Sequence, residues 1–275
     1  MRSSRRARHY CESNHAFDWR GASWTLRNLR FEAGDVMSEN QGPGPLALVG
    51  SGEYLPQMAE IEGGLIAGRP PRYVQIATAA VPDGPPVVER WHSLGRAQAE
   101  RLGVEAVILE INDRRDANDA AIAKQVEGAG LVYLSGGHPA FLAETLRETI
   151  VWHAIVDAWR AGSALAGCSA GAMAFSSWVP SLRHPREGGT EGLGLLPHLR
   201  VIPHFDAFAA RIPDMVTRFL LPDDPSVTVL GIDEETAIVG GPSYWTVKGR
   251  SSAWRLSKEG REQLVTGTSV TTPLN

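Results

Sequence analysis

The sequence predicts an α/β fold of three layers, a mostly parallel sheet with helices on both faces and a nucleophile elbow after a central strand. Three observations predict it. Apolar runs of four to six residues recur from Leu46 onward without polar alternation, as strands covered on both faces require. Between them lie segments of helical length, long enough for the crossovers that parallel neighbours need. One of these runs ends in a sharp Gly-x-Ser-x-Gly turn at Gly167–Gly171.

In chain order, Leu46–Gly50 reads as a buried strand that runs out into glycines, and Gln57–Ala67 as a helix. Tyr73–Ala77 is a second strand. Pro85–Leu102 is a helix, with Val88, Trp91 and Leu94 near a 3.6-residue spacing. Val104–Leu109 is a third strand, Asn118–Glu127 a helix, and Leu131–Leu134 a fourth strand that leads into Ser135-Gly-Gly-His-Pro139. Pro139 suits a first helical turn, where its missing N–H costs nothing. Helices follow over Ala140–Glu148 and Val151–Ala161, then a strand of small residues, Ser163–Ala166. Beyond the turn come a Pro/Gly-rich loop over Pro180–Pro197, a strand at Leu199–Pro203 and a helix near Phe208–Leu221. Strands follow at Val227–Ile232 and Thr236–Val239, with short antiparallel strands at Tyr244–Val247 and Ala253–Leu256.

Composition narrows the function classes. The chain has 275 residues, 43% hydrophobic and 21% charged, enough for a substantial core and too apolar for a disordered chain. Its two cysteines, Cys11 and Cys168, cannot build a disulfide framework or a thiolate zinc site. No apolar run reaches the roughly 18 residues of a membrane span. The net charge of −4 argues against a nucleic-acid partner. That charge is unevenly placed: residues 1–36 hold seven arginines and four acids, which leaves 20 basic and 27 acidic residues after them. The expected organisation is a basic, disordered tail over residues 1–43 and a single α/β domain over residues 44–275. Met37 offers an alternative start. No metal site and no cofactor are expected, since the His and acid residues lack paired ligand spacing and Gly50-Ser-Gly-Glu53 is too short for a dinucleotide loop.

Ser169 is the candidate nucleophile. The flanking glycines of Gly167-Cys-Ser-Ala-Gly171 allow a strained strand-to-helix turn that exposes the hydroxyl at the carboxyl edge of the sheet. The N–H groups that open the next helix can stabilise an oxyanion there. Cys168 sits one position from the apex and reads as a small buried hydrophobe. Of eight histidines, His204 and His138 lie just past strand ends on the same edge as Ser169, and His204, with proline before it, is the first candidate for the base. The acid is open among Asp233, Glu234 and Glu235, which together close another strand, and the loop residues Glu187 and Glu191. No histidine follows His204, so the order Ser, His, acid differs from that of the α/β-hydrolases.

LVGSGEY at the first strand, YLSGGHP, AGCSAGAMAF, IPHFD and GIDEETA together resemble the serine peptidase family of dipeptidase E and cyanophycinase over about Leu46 to Val239. The resemblance implies a class I glutamine amidotransferase-like, flavodoxin-like fold and a serine peptidase or amidohydrolase acting on small peptides or isopeptides. It implies Ser169 as nucleophile, His204 as base and Glu234 as acid, with the oxyanion received by N–H groups of Gly136, Gly137 and Ala170. His138 stands where the family often carries Asn or Gln, at a substrate-contacting position. Arg183, Arg186 and Glu191 in the loop are further candidates for binding a charged substrate. A β-aspartyl-arginine hydrolase and a catalytically silent binding protein on the same fold are the alternatives. The expected partner is a small peptide or amide in the cytoplasm, with no nucleic acid and no membrane, and a homodimer is left open.

The alternative start is directly checkable. Protein isolated from its native host is expected to have the intact mass of a chain beginning at Met37, and a mass that includes the arginine-rich segment would overturn that expectation.

Overall fold

The four residues of β1, Leu46–Val49, are all buried, as the sequence expects of a strand covered on both faces. The computed structural model describes residues 42–181, 188–209 and 221–274. After β1 the chain forms α1 (Ala59–Ile66), β2 (Arg72–Ile76), α2 (Pro85–Leu102), β3 (Glu105–Leu109), α3 (Ala120–Lys124), β4 (Leu131–Leu134), α4 (Pro139–Leu146) and α5 (Ile150–Arg160). It continues through β5 (Ala164–Cys168), α6 (Ala170–Ala174), the short pair β6 (Trp178–Pro180) and β7 (Gly189–Glu191), β8 (Leu199–Ile202) and α7 (Phe205–Ala209). The last strands are β9 (Thr228–Ile232), β10 (Thr236–Gly240), β11 (Tyr244–Gly249), β12 (Ser252–Leu256), β13 (Arg261–Val265) and β14 (Ser269–Thr271).

The main sheet has eight strands in the order β14-β11-β10-β1-β5-β4-β2-β3. Five of them, β1, β5, β4, β2 and β3, run parallel, and β10, β11 and β14 extend the sheet antiparallel. Strand alternation sends successive residues to opposite faces. Leu46, Leu48, Val132, Leu134 and Leu165 pack on one side with Leu142 and Leu146 of α4 and Val151 and Ile155 of α5. Ala47, Val49, Leu131, Tyr133 and Ala166 pack on the other with Ile61 and Leu65 of α1 and Ala99 of α2. These two cores make the three layers, and β5 lies in the interior of the sheet with β1 and β4 on either side.

Local chemistry sets the element ends. Pro85 opens α2, and Gly103, left-handed at φ 68°, closes it, so the observed helix has the expected bounds. The Thr149 hydroxyl accepts the Trp152 N–H and starts α5 one residue before the expected position. The helix expected over Asn118–Glu127 is observed as Ala120–Lys124, its start set by the Asp119 side chain, which accepts the Ala121 N–H. Most of the helix expected near Phe208–Leu221 lies outside the described residues; the described helix there begins earlier, at Phe205. Strand β7 lies within the stretch expected to be loop, Pro180–Pro197, and pairs with β6, which ends where that stretch begins.

The strands expected at Tyr244–Val247 and Ala253–Leu256 both form and both pair antiparallel, as β11 and β12. Strand β12 joins β9, β8 and β13 in a second sheet of four strands, order β13-β12-β9-β8. Within it β8 and β9 are parallel, so the residues that follow both strands emerge at one edge. Among the described residues no helix is long and apolar enough to cross a membrane.

The core on the α1 side carries a buried acid. Glu62 on α1 is 2% exposed, and the Tyr73 hydroxyl on β2 donates to its Oε2 at 2.7 Å. Burial pushes its pKa from 4.5 up to about 7. Between those values the folded chain keeps a proton that the unfolded chain loses, so stability falls as pH rises from about 4.5 to about 7 and then levels off. Relative to Glu62→Gln, which keeps an acceptor for Tyr73, the parent is expected to lose up to roughly 3 kcal/mol between pH 4.5 and 8. Urea unfolding of both proteins across that range is the measurement; parallel curves would contradict it.

Candidate active site

Ser169 follows β5 with φ 49° and ψ −107°, a left-handed conformation that an L-residue holds only when its surroundings demand it. The surroundings are close. A Cβ on Gly171 would meet the backbone carbonyl of Leu134 on β4, and one on Gly167 would meet the backbone of Gly171. The glycines of the motif are therefore contact points that let the turn pass over its neighbour strand.

His204 follows β8 and Glu234 follows β9, so the parallel pairing of those strands brings the two side chains to the edge where Ser169 emerges. Ser169 Oγ lies 3.0 Å from His204 Nε2, and His204 Nδ1 lies 2.9 Å from Glu234 Oε1. With a carboxylate at Nδ1 the ring carries its proton there and donates it to Glu234, which leaves Nε2 to accept the serine hydroxyl. The imidazole and carboxylate side chains are 43% and 47% exposed, so their pairing contributes orientation more than energy.

Three backbone bonds hang this arrangement on the end of β1. Ser169 N–H donates to the Val49 carbonyl at 2.9 Å, His204 N–H to Gly50 at 3.3 Å and Glu235 N–H to Ser51 at 3.0 Å. Asp206, whose position in IPHFD the sequence displayed without indicating a role, accepts the Glu234 N–H at 3.1 Å.

The three consecutive acids have separate fates. Asp233 is buried and accepts from the Ser251 hydroxyl, the Ser252 N–H and the Trp254 indole N–H. Glu235 takes bonds from Gln57 and Arg250, which hold its carboxyl below the usual range. Only Glu234 of the three reaches His204. Glu187 lies outside the described residues, and the Glu191 carboxylate faces Arg147 at 3.6 Å.

The Cys168 thiol is fully buried and donates to Glu53 Oε2 at 2.8 Å, and burial first, then the Glu53 carboxyl, pushes its pKa well up. It stays a thiol, which removes it as a rival nucleophile. The Gly136 N–H, expected to receive an oxyanion, donates to Glu53 Oε1 at 3.0 Å. The N–H groups of Gly137 and Ala170 have no acceptor among the described residues, and both residues line the cavity beside Ser169.

That cavity has a volume of about 1180 Å³. Trp91, Leu94, Met173 and Val179 give it apolar walls, and Arg90 is the one Lys or Arg among its described lining. His138 also lines it, with Nε2 2.9 Å from Asp83 Oδ1. Glu191 is not among the described lining residues, and its carboxylate faces Arg147. Arg183 and Arg186 lie outside the described residues. Among the described residues no group of three or more His, Cys, Asp or Glu is placed to hold a metal ion.

The model of Peptidase family S51 matches residues 46–241. Two curated relatives named cyanophycinase, from Trichormus variabilis and a Nostoc species, are each 30% identical over 161 residues, 53% of this chain and 51% of theirs. The chain thus spans about half the length of the curated relatives it matches. Among solved structures, a peptidase from an acI-B1 Actinobacterium is 43% identical with a TM-score of 0.77, covering 85% of this chain and 98% of that one. A peptidase E candidate from Listeria monocytogenes EGD-e, 17% identical with a TM-score of 0.55, covers 76% of this chain and 100% of its own, and shares the fold.

The division of labour among the acids predicts a separable stability defect. Asp233→Ala leaves an indole N–H and a backbone N–H without their acceptor, and is expected to cost about 2–4 kcal/mol. Denaturant unfolding measures it, and a loss below about 1 kcal/mol would contradict the assignment.

Proposed function

The chain belongs to peptidase family S51, and from that premise we propose that it is a serine peptidase hydrolysing small peptides or isopeptides through Ser169, His204 and Glu234. The observation that carries the proposal is the unbroken hydrogen-bonded run from Ser169 Oγ through both nitrogens of His204 to Glu234 Oε1, at 3.0 and 2.9 Å. In this mechanism His204 Nε2 takes the Ser169 proton as the hydroxyl attacks the scissile carbonyl, and returns it to the leaving amine. Glu234 holds the ring in the tautomer that leaves Nε2 free. The oxyanion is received by the N–H groups of Gly137 and Ala170. Water then repeats the cycle on the acyl-enzyme, with His204 again the base.

The proposal takes residues 44–275 as one hydrolytic domain acting on small cytoplasmic substrates, with residues 1–43 outside it. A β-aspartyl-arginine isopeptide is the second substrate class, favoured by the likeness to proteins named cyanophycinase. Arg90 in the cavity wall offers either class a partner for a carboxylate.

A fluorophosphonate probe is expected to label the parent chain on Ser169 and to leave Ser169→Ala unlabelled. Hydrolysis of a dipeptide panel containing Asp-X, Glu-X and β-Asp-Arg is expected to vanish in Ser169→Ala, with activity within tenfold of the parent overturning the mechanism. Glu234→Gln is expected to lower kcat by about 10²–10⁴-fold. A folded parent chain that takes up no probe and cleaves nothing in the panel would instead be a silent binding protein.

A further inference from the structure

The carboxyl of Glu53 occupies a place beside Ser169 that the proposed triad does not use. Glu53 follows β1, lines the cavity and is 9% exposed. Both its oxygens are committed within the site: Oε1 accepts the Gly136 N–H at 3.0 Å, and Oε2 accepts the Cys168 thiol at 2.8 Å. These donors belong to two turns from neighbouring strands. Gly136 precedes Gly137 in the turn after β4, and Cys168 precedes Ser169 and Ala170 in the elbow after β5. One side chain therefore ties together the two turns whose N–H groups face the oxyanion in the mechanism above.

The fit around it is close. A Cβ on Gly136 would stand 2.8 Å from Glu53 Oε1 and 3.4 Å from Ser169 Cβ, so the glycine is what admits the carboxyl against the nucleophile. The same turn is anchored from its other side. The Ser135 hydroxyl shares a 2.6 Å hydrogen bond with the Tyr54 hydroxyl and accepts from Gln75 Nε2 at 2.9 Å. With Ser135 held from below and Gly136 held by Glu53, the next N–H in the chain, that of Gly137, has a defined direction.

We infer that Glu53 is a positioning residue for the oxyanion hole, which engages Gly136 N–H and sets the register in which Gly137 and Ala170 present theirs. The inference rests on Ser169 acting as the nucleophile. Its effect is felt in the tetrahedral state and not in substrate binding, which separates it from a merely structural role.

The test uses the full chain with Glu53→Ala, Glu53→Met and Glu53→Gln, the second filling the volume without an acceptor and the third keeping an acceptor for Gly136. For each, kcat and KM are measured on the best panel substrate, together with inhibition by a peptidyl boronic acid, whose adduct on Ser169 places a boron hydroxyl in the oxyanion hole. Thermal unfolding identifies the variants that fold, and Glu53→Met decides if Glu53→Ala does not. Glu53→Ala and Glu53→Met are expected to lower kcat ~10- to 100-fold with KM within about threefold, and to weaken boronate binding in step. Glu53→Gln is expected to stay within about threefold of the parent in both. A folded Glu53→Met with parental kcat, a kcat loss without weaker boronate binding, or a Glu53→Gln as poor as Glu53→Met would overturn the assignment. If activity of the parent survives Ser169→Ala, the function proposal fails and this inference with it; dependence on Ser169 with an unaffected Glu53→Met overturns the Glu53 role alone.

Discussion

The end of β1 is the constraint on which the site depends. Three successive carbonyls, those of Val49, Gly50 and Ser51, accept the N–H groups of Ser169, His204 and Glu235. Ser169 comes from the main sheet, while His204 and Glu235 follow strands of the second sheet. The same short segment then supplies Glu53 to the glycine turn after β4. Three strand ends, those of β5, β8 and β9, are thus referred to one stretch of backbone, and the turn after β4 is tied to the same segment through the Glu53 carboxyl. Gly50 makes this junction feasible, because a Cβ there would run into the carbonyls of Ile232 and Asp233.

The elbow shows the same economy of space. Ser169 holds a strained backbone because β4, β5 and α6 leave it no other path, and the strain directs the hydroxyl into the cavity. His204 and Glu235 also lie at positive φ, 50° and 54°, so the residues bonded to the β1 end share a positive φ. Residues held in sparsely populated conformations gather where the surrounding fold overdetermines them, and here that place is the carboxyl edge of both sheets.

Charge is handled by partition. Asp233, Glu234 and Glu235 are adjacent in sequence, yet one is buried under a serine, a tryptophan and a backbone N–H, one meets the imidazole, and one meets Gln57 and Arg250 at the surface. Cys168 and Ser169 are divided in the same way, the thiol buried as a donor to Glu53 and the hydroxyl exposed to the cavity. Adjacent residues at the end of a strand point in different directions, so neighbours of similar chemistry take unrelated partners.

The sequence by itself determined the layered α/β architecture, because buried parallel strands must be continuously apolar and their crossovers must be helical. It also determined the position of the elbow, since the close approaches at Gly167 and Gly171 leave a compositional mark. The proposed base left a sequence mark, since His204 follows a strand and a proline, while Asp233, Glu234 and Glu235 formed a cluster of three in which the family resemblance singled out Glu234. The second sheet was not legible: β12 is a short run of mixed polar and apolar residues, and nothing local states that its partner is β9 and not β11. The occupation of the Gly136 N–H was equally hidden, because it depends on Glu53, 83 residues earlier, reaching a neighbouring strand end. Local propensity and spacing are written in consecutive residues. Strand register and the choice among equivalent acids are set by which distant backbone arrives alongside, and only the tertiary structure decides that.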